Sequence, residues 1–490
     1  MSTRRYKRGQ SRAQNMLLPA SVEDYVSQTN AVRAIEAYVE GLSLEAQGFK
    51  NTTGGVKAGQ PAYQPGALLK LYLYGYLNRT RSSRKLEQEC QRNMEVMWLM
   101  QGLRPSYKTI ADFRKENSEP LQKANKDFVF LCKELGLYGG KLVGIDGTFF
   151  EGNASKGSIY TENRLEKRLE QIEKDIAAYH EELESADKEN SEVVMEDAKL
   201  NEKLKKLKEK QADYHSKLKQ VQESGVSQLS LTDEDARLLS KRGESTAGYN
   251  VQIAVDEKHK LLVCCEVTQD GNDLQQLAPM ARQAKEVLGE KAIEVAADGG
   301  YYQKNGLKEC EEAGITAYVA IPRHTTPGSD EGRMPKEAFI YHEAHDVYVC
   351  PAGQFLEACR NKKRRDGSIE IGYASNARKC EKCELKEQCL PKKTPYRQIY
   401  RWEHQDVIER HRQRMMEKGR EYMRKRSGLA EHPFGTLKRW CGWEHFLVRG
   451  LKKVRGEMNL LMLCYNFRRV LSIFGIEKFM EYCQRRESYA

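Results

Sequence analysis

Two short apolar runs that contain aspartate most constrain what this chain can fold into. They are Lys141–Phe149 (KLVGIDGTF) and Ala292–Asp298 (AIEVAAD), and Gly follows the Asp in both. Runs of this length, rich in Val and Ile, predict buried β-strands that end in Asp146 and Asp298. Because ligands of α/β sheets bind beyond the carboxyl ends of strands, the pattern indicates one shared site. Turn capping is the alternative for either Asp taken alone.

Two further strands are predicted at 249–255 and 261–267, with Asp256–His259 as the hairpin turn between them. Between the first strand and this hairpin, residues 158–225 carry apolar side chains at heptad spacing in two arms. We interpret the segment as an antiparallel coiled-coil hairpin, broken near 187–193. The heptad positions are Leu165, Leu169, Ile172, Ile176, Tyr179, Leu183, Leu200, Leu204, Leu207, Tyr214, Leu218 and Val221.

Helical patterns dominate residues 20–137, and a turn rich in Arg and Ser interrupts them at 78–84. Short helices joined by such a turn are typical of a small helix-turn-helix-like DNA-binding module. A helical bundle with a basic loop is the alternative. Before it, the first 15 residues form a basic arm without apolar periodicity. The candidate DNA ligands of the turn are Arg79, Arg81 and Arg84.

Positive charge is concentrated in the last third of the chain. Residues 351–490 hold 32 Lys and Arg against 17 Asp and Glu, a net +15, whereas the whole chain of 490 residues carries +11. Basic segments attract polyanions by releasing counterions, so this distribution favours a nucleic-acid partner; a well-solvated surface is the alternative. No apolar run approaches a membrane span and no secretory signal is visible, which predicts a cytoplasmic, nucleoid-associated protein.

A third carboxylate, Glu431, lies in this basic third, seven residues before Lys438. On one helix the two would share a face, but Pro433 fits a first helical turn, so we place Glu431 at or just before a helix start. Three carboxylates suit Mg²⁺ or Mn²⁺, and two such ions can activate water and stabilise a leaving oxygen of a phosphodiester. Arg439 and Trp443 follow in the same segment. Trp443 is a candidate for stacking on a base, with core packing as the alternative.

Of the thirteen cysteines, Cys350, Cys380, Cys383 and Cys389 do not fit the usual pattern of a buried thiol in an apolar segment. One pair has the Cys-x-x-Cys spacing common in structural zinc sites, so we predict a Cys₄ Zn²⁺ site. Cys359 or His342 could replace one ligand. Free thiols are the main alternative, because a disulfide does not suit a reducing compartment.

Four ordered motifs resemble insertion-sequence transposases of the DDE, RNase H-like class. They are Val143–Thr148 (VGIDGT), Gly248–Gln252 (GYNVQ), Ala297–Tyr302 (ADGGYY) and Glu431–Lys438 (EHPFGTLK). The resemblance implies that Asp146, Asp298 and Glu431 bind the catalytic metals and that Lys438 is the cation after the Glu. Related chains carry a Tyr seven and an Arg four positions before the Glu, where this chain has Arg424 and Ser427. We therefore assign only a phosphate contact, to Arg424 or Arg426.

The sequence thus predicts an α/β, RNase H-like core with an all-α N-terminal domain and two insertions. The resemblance implies a DNA transposase that cleaves element ends and joins their 3′-OH to target DNA, acting on terminal inverted repeats as a homodimer. A nuclease or domesticated relative without strand transfer, and a non-catalytic zinc-containing regulator, are the alternatives. The predicted parts are a basic arm (1–15), a helical DNA-binding domain (16–137), the core (138–157 and 226–340), the coiled coil (158–225), the zinc-binding insertion (341–400) and the helices carrying the Glu (401–490).

Overall fold

The computed structural model describes residues 21–52, 61–188, 194–225, 227–241, 243–322, 334–364, 367–391 and 393–486. The predicted basic arm, 1–15, lies outside these ranges, as does most of the predicted break in the heptads. The chain divides into two compact units. Met1–Asn272, Glu286–Gly289 and Gly428–Ala490 form the first unit; Asp273–Lys285 and Glu290–Ser427 form the second.

The helices begin and end as follows. They are α1 (Ala31–Glu40), α2 (Pro65–Leu77), α3 (Ser83–Arg92), α4 (Met94–Leu99), α5 (Tyr107–Glu116), α6 (Ser118–Glu134), α7 (Glu162–Lys188), α8 (Val194–Ser224), α9 (Leu277–Leu288), α10 (Lys304–Glu312), α11 (Ala377–Glu381), α12 (Lys386–Cys389), α13 (Gln405–Phe434), α14 (Leu451–Phe474) and α15 (Ile476–Arg485). A π-helical segment, Gly435–Trp440, directly follows α13. Within the described residues, none of these helices is long and apolar enough to cross a membrane.

The strands are given in chain order. They are β1 (Leu142–Glu151), β2 (Ile159–Tyr160), β3 (Leu229–Ser230), β4 (Arg237–Lys241), β5 (Glu244–Asp256), β6 (Leu262–Thr268), β7 (Ile293–Ala297), β8 (Ile315–Val319), β9 (Ile340–His342), β10 (Val347–Val349), β11 (Phe355–Lys363), β12 (Ile369–Ala374) and β13 (Gln398–Trp402).

The sheet of the first unit is built around the long strand β5. It pairs antiparallel with β1, β4 and β6, and Asp146 stands opposite Ile253 in the β1 register. The predicted β5–β6 hairpin is confirmed. In the second unit β7 and β8 run parallel, with α10 between them in sequence. Both units therefore combine strands and helices, as the predicted α/β class requires.

The helices from both ends of the chain share one core in the first unit. Tyr38 of α1, Phe128 of α6 and Phe467 of α14 are buried together, with Tyr38 and Phe128 ring centroids 5.1 Å apart and those of Phe128 and Phe467 5.5 Å apart. Asn125 of α6 donates to Asn459 of α14 at 2.8 Å. The apolar faces of helices far apart in sequence thus form one hydrophobic core.

Both heptad arms are helices, α7 and α8. At their base Tyr160, Leu165 and Val221 form a small core beside the two-stranded sheet of β2 and β3. This observation agrees with helical arms, while their coiled-coil packing stays a prediction.

The Cys-rich insertion contains an antiparallel sheet that we did not predict. Its strand order is β13-β12-β11-β10-β9. Its core is formed by Phe339, Tyr348, Leu356, Tyr373 and Ile399.

Candidate functional site

Asp146 lies in the middle of β1, which corrects the prediction that the strand ends there. The strand continues to Glu151 because β5 supplies a partner for every residue from Val143 to Glu151. One carboxylate oxygen of Asp146, Oδ1, accepts a hydrogen bond from Gly147 N at 3.0 Å. Positions 144, 146 and 148 share one face of β1, because side chains alternate between the two faces along a strand.

The end of α13 runs along that face of β1. A Cβ at Gly144 would lie 3.1 Å from Leu429 Cβ, so the glycine allows the helix to approach the strand. Further along, Lys438 Nζ donates to Thr148 Oγ1 at 2.8 Å. Leu429 and Lys438 therefore flank Asp146, and the turn that carries Glu431 lies between them.

Glu431 lies in the last turn of the 30-residue helix α13, not at a helix start as predicted. Pro433 is accommodated two residues later, near the carboxyl end of the helix, and the chain continues as a π-helix. Proline has no N–H to donate to the carbonyl one turn earlier. After the proline, Thr436 Oγ1 donates to the His432 carbonyl at 2.8 Å. The predicted shared face of Glu431 and Lys438 assumed regular α-helical spacing, which the π-helical turn between them does not provide.

Lys438 is held by β1 itself. Besides Thr148, its ammonium donates to the Phe149 carbonyl at 2.5 Å and lies 4.7 Å from the Phe150 ring centroid. Burial lowers the pKa of this amine. In this arrangement Lys438 joins the π-helical segment to the strand that carries Asp146.

Asp298 directly follows β7 in the second unit, as predicted. Its Oδ1 accepts from Gly300 N at 2.9 Å, and its Oδ2 lies 3.6 Å from Arg426 Nη2. A buried carboxylate that sequence reasoning missed, Asp273, is also close: a Cβ built on Gly300 would lie 3.0 Å from Asp298 Oδ1 and 3.6 Å from Asp273 Oδ2. The sequence feature that could have indicated Asp273 is its position in an acidic turn after β6.

Of the three residues considered before Glu431, Arg426 and Tyr422 each face a carboxylate, and Arg424 is exposed. Arg426 faces Asp298. Tyr422 is 7% exposed, donates to Glu294 at 2.7 Å and stacks on Tyr318. Of the two arginines offered for a phosphate contact, the geometry favours Arg426.

The arginines of the basic turn between α2 and α3 differ in their exposure to solvent. Arg79 and Arg84 are exposed, and Arg84 lies over the ring of Tyr107. Arg81 is only 7% exposed and donates to the His445 carbonyl at 2.8 Å. Since Arg81 is held by the protein itself, the predicted open contact between its side chain and DNA does not fit.

Two further candidates are Arg439, within the π-helical segment, and Trp443, just after it. Trp443 is 4% exposed, with its ring 4.8 Å from that of Tyr76, which favours the core-packing alternative. Arg439 is exposed.

The four cysteines of the predicted zinc site line one small cavity of about 30 Å³. Burial raises the pKa of Cys389, and the neighbouring thiols of Cys380, Cys350 and Cys383 raise it further. Cys359 is exposed and donates to the Gly372 carbonyl, and neither it nor His342 lines the cavity. None of the thirteen cysteines, all of which lie among the described residues, forms a disulfide.

Within the part of the chain that the structure describes, no three His, Cys, Asp or Glu side chains are close enough to hold one metal ion. Asp146 and Glu431 belong to the first unit and Asp298 to the second. The catalytic triad and the zinc ligands therefore stay predictions.

Two family models match the chain. The Transposase DDE domain matches residues 221–467, and the Transposase domain (DUF772) matches residues 20–116. No curated protein matches it. Among solved structures it is similar to a piggyBac transposase in a synaptic complex with hairpin DNA, determined by cryo-EM. The two chains are 8% identical over 93% of this chain and 79% of that one, with a TM-score of 0.35, which is too low to establish a common fold.

The DDE-domain match covers half of the chain and includes Asp298, Glu431 and Lys438, and the second match covers the N-terminal helices. This chain belongs to the insertion-sequence transposases of the DDE superfamily.

Proposed function

We propose that this DNA transposase cleaves the ends of its element in a metal-dependent reaction and joins the freed 3′-OH to target DNA. One observation carries the proposal: Leu429 and Lys438 hold the Glu431 turn along the face of β1 that bears Asp146. Asp298, the third carboxylate of the proposed triad, lies beside the cation Arg426.

The donor set fits a hard divalent cation, because carboxylate oxygens are the ligands that Mg²⁺ prefers. Asp146 and Asp298 each use one oxygen for a neighbouring backbone N–H, and Glu431 is exposed. These three residues would hold Mg²⁺ or Mn²⁺. When bound, such ions supply a nucleophile at neutral pH and stabilise the leaving oxygen.

The residues around the carboxylates position and neutralise them. Arg426 offsets the charge of Asp298 and would offset that of a nearby phosphate, since a guanidinium pairs with either anion. Lys438 fixes the π-helical segment on β1 and so fixes the Glu431 turn. No covalent bond between protein and DNA is required.

The experiment compares Asp146→Asn, Asp298→Asn and Glu431→Gln with the wild type in Mg²⁺ and in Mn²⁺. We expect each change to lower 3′-end cleavage by at least about 10²-fold, since each removes a charge that the reaction requires. Binding to the same DNA in EDTA should persist. Glu234→Gln, an exposed carboxylate elsewhere in the first unit, is the matched control.

If cleavage survives any of the three changes, the triad is wrong. DNA binding without any cleavage by the wild type would indicate a regulator instead. A second assay supplies pre-cleaved ends: strand transfer supports a transposase that pairs two ends as a homodimer, and its absence indicates a plain nuclease.

We also propose that the Cys350–Cys389 cavity binds a structural Zn²⁺, because the four thiols already line one space and tetrahedral zinc takes four thiolates. Metal analysis of protein purified without chelator should give one zinc per chain. Cys383→Ser should lower this ratio, whereas Cys359→Ser should not. A ratio well below one in the wild type would contradict the site.

A further inference from the structure

The α2–α3 turn borders a cavity of about 580 Å³ in the first unit. Its lining is strongly basic. The cationic residues are Arg79, Arg81, Arg84, Lys85 and Arg114.

The floor of this cavity contains a buried guanidinium with unused donors. Arg114 is 4% exposed, and its Nε and Nη1 have no hydrogen-bond partner among the residues that the structure describes. Its Nη1 faces Glu457 Oε1 at 3.7 Å, which is too far for a hydrogen bond. Buried donors are rarely left unpaired, so this one indicates a missing acceptor.

The buried charges around Arg114 do not balance. Glu457 is completely buried, and its Oε2 is already used by Leu447 N at 2.9 Å and Val448 N at 3.2 Å. Its Oε1 faces both Arg114 and Arg81, at 3.7 and 3.9 Å. Two guanidinium groups therefore share one carboxylate, which leaves one positive charge at the floor of the cavity.

The start of α3 adds a second source of positive potential. Within the described part of the chain, its N-cap residue Ser82 makes no side-chain capping hydrogen bond, and Ser82, Ser83 and Lys85 line the cavity. The first N–H groups of a helix are unpaired within the helix and favour anions. Arg84 and Lys85, both exposed, stand at the rim.

We propose that this cavity binds one backbone phosphate of the transposase's DNA, with Arg114 and the start of α3 as the receptor and Arg84 and Lys85 at its rim. The inference rests on the proposed function, because DNA is the substrate that supplies the phosphate. It adds Arg114 and Lys85 to the residues that the sequence indicated, and gives Arg81 a buried supporting position. Phosphate contacts position a duplex without reading its bases, so the site sets affinity and register.

The test measures the salt dependence of DNA binding in EDTA, using the full chain with Asp298→Asn so that no cleavage occurs. A protein that neutralises Z phosphates shows a slope of log K against log salt of about −0.9Z, so losing this contact should reduce the slope by about 0.9. Arg84→Gln and Lys85→Gln should each show part or all of this reduction. Arg92→Gln is the matched control, because Arg92 is exposed on the same helix and paired with Glu89.

Arg114→Gln tests the role of the buried guanidinium in phosphate binding. The double variant Arg114→Gln, Glu457→Gln makes the same test without leaving a buried carboxylate beside a neutral residue. Inorganic phosphate is the second probe: it should raise the thermal midpoint of the wild type and not that of the double variant. The proposal is wrong if the Arg84 and Lys85 variants show the same slope of log K against log salt as the Arg92 control. Protection by phosphate with unchanged slopes would also overturn it, because the site would then take the free ion and not DNA.

Failure of this inference is distinguishable from failure of the proposed function. Binding slopes are measured without metal or cleavage, whereas the triad is tested by cleavage alone. If the wild type cleaves normally and the Arg84 and Lys85 variants show unchanged slopes, only the phosphate-site proposal is rejected.

Discussion

At the scale of single residues, the second unit buries a histidine that cannot easily be charged. His411 is completely buried, and its Nε2 accepts from Val319 N at 3.2 Å, which requires an unprotonated nitrogen. Burial lowers the pKa of His411 to about 4, and the nearby Arg414 and Arg412 contribute to the shift. The unprotonated imidazole therefore joins α13 to β8.

This histidine predicts acid sensitivity of the second unit. The unfolded chain, with a His pKa near 6.5, binds protons more tightly than the folded chain, so stability falls as pH drops from about 6.5 towards 4. Between pH 7 and pH 5 the free energy of unfolding should decrease by about 2 kcal/mol from this group. His411→Gln, which still offers an acceptor, should lose about 2 kcal/mol less over the same range. Chemical denaturation at both pH values measures the difference, and equal losses in both proteins would contradict the assignment.

The residue types of a site are easier to predict from sequence than the orientations of their side chains. The apolar runs that bear Asp146 and Asp298 are visible in the sequence. Whether Arg424 or Arg426 meets Asp298 depends on a rotation of about 200° around a helix axis, which only the packing of α13 settles. The burial of Arg81 likewise follows from Glu457, which lies more than 370 positions away in the sequence.

At the scale of elements, the contact between α14 and α6 is unusually close at one point. A Cβ at Gly456 would lie 2.6 Å from Ser118 Cα and 2.7 Å from Ser118 Cβ. Because the nearest atom is backbone, it cannot move aside cheaply. Gly456 therefore sets the distance between the two helices.

Gly456→Ala should destabilise the first unit by about 1–3 kcal/mol, the usual cost of overpacking. Gly428→Ala is the matched change in another helix. Among the described residues, a Cβ at Gly428 would meet no atom within 4 Å apart from its own stretch of helix, so the variant should gain up to about 1 kcal/mol from helix propensity. Denaturant midpoints of the two variants should move in opposite directions. Equal shifts would contradict the packing explanation.

Elements with strong periodicity are predictable, and those that depend on context are not. The hairpin of β5 and β6 and the helical arms α7 and α8 follow their sequence patterns. The sheet of β9–β13 was missed because β11 is exposed along most of its length and shows no alternation of apolar and polar residues. The prediction for Glu431 was wrong because proline was interpreted as a helix start, while a π-helical turn accommodates it at a helix end.

At the scale of the whole molecule, an ion pair joins the last described residue, Arg486, to helix α6. Arg486 donates to both carboxylate oxygens of Asp127, at 2.9 and 3.0 Å, and to Glu134 at 3.0 Å. The paired side chains are 7% and 4% exposed. Removing the cation from a buried carboxylate is strongly destabilising.

Arg486→Gln should therefore lower the free energy of unfolding by about 3–5 kcal/mol. Arg485→Gln, a change of the exposed neighbour, should alter it by less than about 0.5 kcal/mol. Adding Asp127→Asn to Arg486→Gln should recover part of the loss, because no unpaired charge remains buried. A double variant no more stable than Arg486→Gln alone would contradict this account.

The packing of helices that are far apart in the chain is the feature least predictable from the sequence. Charge distribution located the basic third, but no local pattern indicates that α14 and α15 pack against α6 and α1. Such pairings join residues more than 330 positions apart, as Asn125 and Asn459 show.

The shared core of α1, α6 and α14 has a consequence for synthesis on the ribosome. The N-terminal helices emerge first, yet Phe128 lacks Phe467 until nearly the whole chain has been translated. At about 5–20 residues per second, the roughly 340 intervening residues take tens of seconds. During that time the early helices expose apolar surface, so a prematurely terminated chain would be a target for chaperones and proteases and not a stable DNA-binding fragment.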